Sequence, residues 1–91
     1  MIIVSQEKTR IINFDNILQL YINKCEEEIM KYYVRYEDCN NSYEDLGEYK
    51  TEERAKEVLQ EIIKAYLDCN EQNHLAEFAY VKNKVYEMPE E

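Results

Sequence analysis

The chain has 91 residues, of which 20 are acidic and 11 basic, so its formal net charge is −9 at pH 7. This charge argues against direct binding to nucleic acid and to anionic membrane surfaces, because Lys and Arg side chains supply much of the affinity for both. The length indicates a single domain, residues 1–91, and the 45% hydrophobic content is enough for a core. One Gly and one Pro exclude a low-complexity chain.

The N-terminus and the cysteines indicate the compartment. The apolar run at residues 1–4 is too short for a signal peptide or a membrane span. Cys25, Cys39 and Cys69 are an odd number at wide spacing without a C-x-x-C pair. We therefore expect free thiols rather than a disulfide framework or a zinc site, and a cytoplasmic protein.

The first half of the chain predicts five short strands. "MIIVSQ" and "RIINF" predict an N-terminal hairpin, and "ILQLYIN" and "EIMKYYVRYE" alternate in the manner of half-buried strands. The acidic run "CEEE" from Cys25 lies between the third and fourth strands as their exposed turn. The polar loop "DCNNS" then leads into a fifth strand, "YEDLGEYK".

The second half predicts one helix and a final strand. Thr51 is placed to cap a helix that runs to about Cys69, fading in the polar cluster "DCNEQN". Its apolar stripe consists of Ala55, Val58, Leu59, Ile62, Ile63 and Tyr66. The tail "EFAYVKNKVYEMPEE" returns to an alternating pattern. The fold class expected is α+β: an antiparallel sheet of five or six strands with one main helix packed on one face.

The sequence contains no recognisable catalytic or cofactor-binding motif. His74, the only histidine, falls in the polar segment after the predicted helix, and no Cys or second His lies at metal-ligand spacing. No glycine-rich phosphate loop occurs, and Gly47, the only glycine, is expected to mark a bulge in its strand or a close approach of the helix. We therefore expect no enzyme activity, no cofactor and no metal.

Nine tyrosines are the unusual feature of the composition. Strand alternation places Tyr21 and Tyr33 on the face away from Leu20 and Val34. Tyrosine among carboxylates is typical of protein-binding surfaces, although exposed tyrosines without a role, on a surface charged only for solubility, give the same pattern.

Three segments, "IVSQEKTRIINFDNI", "LGEYKTEERAKEVLQEI" and "YEMPE", resemble a family of small uncharacterised proteins found in Firmicutes, often in prophages and other mobile elements. The resemblance covers most of the chain. It implies a setting in which small acidic phage proteins block host proteins, including nucleic-acid-binding defence enzymes.

Two functions from different classes follow as hypotheses. The first is a non-enzymatic interaction protein that binds and inhibits a host protein with a basic surface. Its predicted partner-binding residues are Glu37, Asp38, Tyr43, Glu44 and Asp45, with the turn residues Glu26, Glu27 and Glu28 as a second candidate. The second is a module that binds or sequesters a nucleotide-like small ligand. Its predicted ligand-binding residues are Tyr33 or Tyr80 for stacking and Arg10, Arg35 or Lys84 for phosphate.

A homodimer is also expected, formed through an edge strand or the exposed tyrosine face. The strands without an evident partner are the N-terminal "MIIVSQ" and the tail "AYVKNKVYEM". A monomer is the alternative, because Lys82 and Lys84 place charge where it discourages edge pairing.

Overall fold

The computed structural model describes residues 1–75 and 85–91, with side chains for 1–68 and 85–91. The elements in these ranges, in chain order, are strands β1 (Ile2–Val4) and β2 (Ile11–Asn13), a single 3-10 turn (Phe14–Asn16), strands β3 (Ile17–Cys25), β4 (Lys31–Asp38) and β5 (Tyr43–Tyr49), helix α1 (Glu52–Leu75) and strand β6 (Val85–Glu87). The predicted α+β class is confirmed.

The strands form two sheets of three strands each, so the expectation of one sheet with five or six strands was wrong. The small sheet has the order β2-β1-β6, with β1 antiparallel to β2 and parallel to β6. The meander sheet has the order β3-β4-β5 and is antiparallel throughout. The 3-10 turn separates β2 from β3. The alternation of apolar and polar residues could not reveal this break, because alternation shows which face of a strand is buried and not which strands lie beside it.

The N-terminal hairpin was predicted correctly, with Ile2 opposite Asn13 and Val4 opposite Ile11. In its turn Lys8 has a φ of 61°, and the Ser5 Oγ accepts a hydrogen bond from the Arg10 N–H at 3.1 Å. The sequence analysis treated β1 as an open edge strand, and this was wrong, because β1 is the central strand of the small sheet.

The predicted sixth strand is present as β6, Val85–Glu87. The part of the predicted tail strand at residues 76–84, including Tyr80, Lys82 and Lys84, lies outside the described residues. Because β6 pairs with β1, the small sheet brings residues near the two ends of the chain together.

Helix α1 begins as predicted and ends later than predicted. The Thr51 Oγ1 accepts a hydrogen bond from the Arg54 N–H at 3.1 Å, which makes Thr51 the cap. The helix continues past Cys69 to Leu75 because the polar cluster there contains neither Gly nor Pro. His74 accordingly lies in helical backbone and not in a loop.

The core lies between α1 and the two sheets. Its buried hydrophobic residues are Met1, Ile3, Val34, Leu46, Tyr49, Ala55, Val58, Ile62, Ala65 and Met88. The helix supplies four of them at helical spacing. Ile63 from the predicted stripe is 49% exposed, so the buried stripe of α1 is narrower than the sequence indicated.

The Gln6 side chain joins the two sheets. Its Oε1 accepts a hydrogen bond from the Glu48 N–H at 2.8 Å, and its Nε2 donates to the Glu48 carbonyl at 3.0 Å. The same Nε2 contacts the carbonyls of Pro89 at 3.2 Å and Glu90 at 2.8 Å. The Gln6 backbone N–H also donates to the Leu46 carbonyl at 2.8 Å. Gln6 therefore pairs with β5 much as a further strand would, and it holds the C-terminal segment beside it.

Gly47 lies at the bulge that was predicted for it. The register between β4 and β5 shifts where Val34 faces Gly47 and Arg35 faces Asp45. A Cβ at Gly47 would lie 2.8 Å from the Tyr49 Oη, so the close neighbour is this ring and not the helix. The absence of a side chain lets Tyr49 fold back against its own strand.

Replacing Gln6 should weaken the junction between the sheets. We expect Gln6→Ala to lower the free energy of unfolding by about 2–3 kcal/mol, because several hydrogen bonds to backbone groups are lost together. Gln60→Ala, at an exposed position of α1, is the matched control and should change it by less than about 0.5 kcal/mol. Urea denaturation measures both, and equal losses in the two variants would contradict the role of Gln6.

Tyr49 and Tyr86 give a matched pair of hydroxyl deletions. The Tyr49 Oη donates to the Pro89 carbonyl at 2.9 Å, whereas the buried Tyr86 Oη has no hydrogen-bond partner among the described residues. Tyr49→Phe should therefore destabilise the fold by about 1 kcal/mol, and Tyr86→Phe should leave it unchanged or stabilise it by up to about 1 kcal/mol. Urea denaturation at pH 7 separates them, and a loss of stability in Tyr86→Phe would contradict the unpaired state of its hydroxyl.

Burial of the Tyr49 and Tyr86 side chains should make the stability of the fold depend on pH in the alkaline range. Burial raises the pKa of Tyr86 from its ordinary 10.0 to about 12, and burial also raises the pKa of Tyr49. Because the folded state resists ionisation of these phenols, stability is fully present below pH 10 and is lost as the pH rises from 10 through 12. Tyr86→Phe should make this loss shallower in denaturation measured across that range, and an unchanged slope would contradict the burial effect.

Candidate functional site

A polar cleft of about 250 Å³ lies between the turn of the N-terminal hairpin and strand β5. We call it the acidic cleft, and its charged and aromatic lining residues are Glu7, Arg10, Tyr33, Glu44, Asp45 and Glu48. Four carboxylates thus face one guanidinium and one phenol. The lining holds four of the 20 acidic residues of the chain and one of its 11 basic residues.

The fold builds the cleft from segments that are distant in the sequence. Tyr33 and Glu48 face each other across β4 and β5, so their side chains lie on the same side of the meander sheet. Gln6 binds the backbone of Glu48 and thereby brings the hairpin turn, with Glu7, to the edge of β5. The bulge beside Gly47 lets β5 bend at this point.

Ion pairs hold three of the four carboxylates in place. Arg35 contacts Asp45 through two nitrogens, at 2.6 and 3.2 Å, and Arg10 contacts Glu44 at 3.1 Å. The hydrogen bond to Asp45 raises the pKa of Arg35. Hydrogen bonds to Tyr36 and to Glu44 raise the pKa of Arg10.

The other two carboxylates of the cleft differ in how they are held. Lys31 contacts Glu48 at 3.5 Å, and attraction to Glu48 raises the pKa of Lys31. Glu7 is exposed and has no ion pair with any described residue. Burial, followed by the charge of Glu48, raises the pKa of Tyr33, which therefore stays a neutral phenol at physiological pH. The lining therefore contains three carboxylates held by ion pairs, one carboxylate without an ion pair among the described residues, and a neutral aromatic ring.

The β4–β5 hairpin carries its predicted partner-binding residues on two faces. Glu37 pairs with Tyr43 and Arg35 with Asp45, so these side chains share one face. On that face the Arg35 guanidinium lies 4.8 Å from the centre of the Tyr43 ring, and Gln19 donates to the Glu37 carboxylate at 2.7 Å. The hairpin therefore does not bring all five predicted residues together.

Glu44 belongs to the other face of the hairpin. It lies opposite Tyr36 across the strands, and both side chains contact Arg10, at 3.1 Å from Glu44 and 3.4 Å from Tyr36. Glu44 and Asp45 nevertheless both reach the lining of the acidic cleft. The cleft, rather than one face of the hairpin, is where the predicted acidic residues meet.

Asp38 has a structural part in the hairpin loop. Its Oδ1 accepts hydrogen bonds from the backbone N–H groups of Asn40 at 2.9 Å and Ser42 at 3.0 Å. Asn41, between them, adopts a φ of 64°, a conformation that asparagine tolerates well. The carboxylate is occupied in shaping the turn.

The second predicted set, Glu26, Glu27 and Glu28, lies in the turn between β3 and β4. Lys24 contacts Glu26 at 3.6 Å, and the Cys25 thiol donates to Glu27 at 3.5 Å. Burial and, to a smaller extent, the hydrogen bond to Glu27 raise the pKa of the Cys25 thiol. Because successive turns of an antiparallel meander lie at opposite ends of the sheet, this set cannot form one surface with the hairpin loop.

The residues predicted for a nucleotide-like ligand meet only in part. Tyr33 and Arg10 line the same cleft, whereas Tyr80 and Lys84 lie outside the described residues. Arg10 and Arg35 are already paired with carboxylates, and the cleft carries more acids than bases. A phosphate group would meet net repulsion there.

The sequence analysis did not assign Glu7 and Glu48 to the interaction surface. It placed Tyr33 on the outward face of its strand but did not include it among the predicted partner-binding residues. Glu7 and Glu48 are 41 residues apart in the chain, and the backbone contacts of Gln6 bring their segments together. No local pattern signals this junction. If the register of β4 and β5 had been predicted, Glu48 would have been placed opposite Tyr33 and so assigned to this surface, but Glu7 would still have been missed.

Other chemistries receive no support within the described part of the chain. No three of the described Cys, His, Asp and Glu side chains converge as metal ligands. Cys25 and Cys39 are free thiols. Helix α1, as described, has no stretch apolar enough to cross a membrane. Comparison of the chain with protein-family models, with curated proteins and with solved structures found no match.

Replacing Asp38 should affect folding. We expect Asp38→Ala to lower the free energy of unfolding by about 1–2 kcal/mol, because two loop N–H groups lose their acceptor. Asp38→Asn keeps a side-chain oxygen and should recover most of this loss. Thermal denaturation of both variants measures the effect, and equal destabilisation by Ala and Asn would show that the charge matters and not the hydrogen bonds.

Proposed function

We propose that this protein is a non-enzymatic interaction protein that binds a basic surface of a partner protein through the acidic cleft. The observation that carries the proposal is the lining of the cleft, which contains four carboxylates, the Tyr33 ring and one Arg side chain. The net charge of −9 also attracts positively charged surfaces over longer distances. A Lys or Arg side chain of a partner is the group that fits this lining.

The cleft offers such a side chain two kinds of contact. The exposed Glu7 carboxylate has no ion pair with a described residue, so it can bind a cation without first losing a partner. The face of an aromatic ring such as Tyr33 adds about 0.5–1 kcal/mol for a cation at an exposed site. Because Arg35 fixes Asp45 through two contacts, little side-chain entropy is lost when a partner binds nearby.

The adjoining hairpin extends the surface. Glu37 and Tyr43 continue from Asp45 along one face of β4 and β5 towards the loop. Tyr43 is 59% exposed although it contacts Arg35. Exposed tyrosine beside carboxylates is typical of protein interfaces.

The proposed partner is a host protein whose basic groove binds nucleic acid, and binding would block that groove. The resemblance to prophage proteins and the acidic surface support this extension. The mechanism is competition: ordered carboxylates occupy the positions that phosphates otherwise take. The protein needs no catalytic residue for this role.

The test begins with affinity capture from a bacterial lysate at low ionic strength, followed by purification of the captured protein and measurement of its dissociation constant. Glu7→Gln with Glu48→Gln should weaken binding by about 2- to 5-fold per carboxylate, mainly through slower association. The control, Glu53→Gln with Glu87→Gln, removes the same charge at two exposed positions outside the cleft and should have a smaller effect. Raising the salt concentration should reduce the difference between the two variants.

Three results would contradict the proposal. One is an equal loss of affinity in both double variants, which would show that binding depends on the net charge of the protein and not on the carboxylates of the cleft. Another is the failure to capture any partner at low salt. The third concerns inhibition alone: if the captured protein still binds nucleic acid in the presence of saturating amounts of this protein, the groove is not blocked.

A further inference from the structure

Strand β3 is the long open edge of the meander sheet. It has nine residues, Ile17–Cys25, and pairs with β4 on one side only; among residues 1–75 and 85–91 no strand pairs with its other side. The other edges differ. β2 and β6 have three residues each, and the Gln6 backbone and side chain cover part of β5. A long edge strand presents a row of free N–H and C=O groups to any strand that fits it.

The charge pattern along β3 favours a second copy of the chain. Residues 16–23 form the longest run without Asp, Glu, Lys or Arg in the sequence, and the only charged residue of β3 is Lys24. Two molecules of charge −9 repel each other across most of their surfaces. This edge is where two copies approach with the least repulsion.

The central side chains of β3, Gln19 to Asn23, are self-complementary in one register. An antiparallel pair that overlaps all nine residues has Tyr21 at its centre, because Tyr21 is midway between Ile17 and Cys25. In this register Leu20 of one copy lies opposite Ile22 of the other on the face that packs towards the core. Gln19 lies opposite Asn23 on the other face, so apolar meets apolar and polar meets polar in the four pairs that flank Tyr21. Beyond them Leu18 lies opposite Lys24, and the register of β3 is irregular between Ile17 and Gln19.

We propose that two copies of this chain form a homodimer in which the β3 strands pair antiparallel about Tyr21. The two meander sheets then become one sheet of six strands, and the two-fold axis uses the open edge of each copy once, so assembly stops at two. The acidic cleft lies at the β5 side of the sheet, away from β3, and stays open in both copies. This inference goes beyond the proposed function and does not depend on it.

Substitution of Tyr21 tests the interface directly. In a single chain Tyr21 faces Arg35 across the strands, so Tyr21→Glu places a carboxylate beside a guanidinium. In the dimer the same change places two carboxylates opposite each other on the axis. Tyr43→Glu is the matched control, because it also introduces a carboxylate beside Arg35 but lies on β5.

Sedimentation at micromolar concentration measures the outcome. The unsubstituted protein and Tyr43→Glu should have about twice the 11.1 kDa mass of one chain, and Tyr21→Glu should have the mass of one chain with an unchanged circular dichroism spectrum. A mass of one chain for the unsubstituted protein, or a Tyr21→Glu protein that remains a dimer, would overturn the proposal.

Disulfide trapping tests the register without weakening the interface. In a background with Cys25, Cys39 and Cys69 replaced by Ser, Tyr21→Cys should form a disulfide-linked dimer rapidly, because directly opposite Cβ atoms lie about 4.5–5.5 Å apart. Asn23→Cys, on the same face of the same strand, should link slowly, because its copies would lie four residues apart along the pair, about 13 Å. Equal rates, or faster linkage through Asn23→Cys, would overturn the register.

Discussion

The paired hydrogen bonds between the Gln6 amide and the backbone of Glu48 are the contact on which the arrangement of the molecule depends. An amide side chain carries a donor and an acceptor in the geometry of a peptide group, so Gln6 can continue the pairing of β5 where no strand is present. Its additional contacts with Pro89 and Glu90 hold the C-terminal segment in place, next to the buried Met88. One side chain thus links both sheets, shapes one wall of the acidic cleft and supports the core.

Charge is distributed unevenly over this framework. The cleft and the hairpin carry several carboxylates, of which Arg10 and Arg35 hold Glu44 and Asp45 in place. The long edge β3 is almost free of charge. The two properties suit different contacts, since ordered carboxylates attract a basic partner and an uncharged edge tolerates a like-charged copy. The fold places them at opposite sides of the meander sheet, so the proposed partner and the proposed second copy do not compete.

The candidate site was only partly accessible from the sequence. Glu44 and Asp45 were predicted to bind a partner and do line the cleft, but Glu7 and Glu48 were not included. Asp38 was assigned to the same surface and instead accepts hydrogen bonds within its loop. Composition identifies an acidic protein, but the position of each carboxylate depends on strand register and on the ion pairs that the register permits.

The sequence by itself determined the local elements and their faces. Alternation predicted the strands, the cap at Thr51 and helical spacing predicted the start of α1, and a lone glycine in a strand predicted the bulge, because each depends on neighbours a few residues apart. Only the tertiary structure decided that the strands form two sheets, that β1 is central and that Gln6 meets Glu48. These features depend on contacts between segments that are distant in the chain, and hydrophobic periodicity carries no information about which distant segment a strand will pair with.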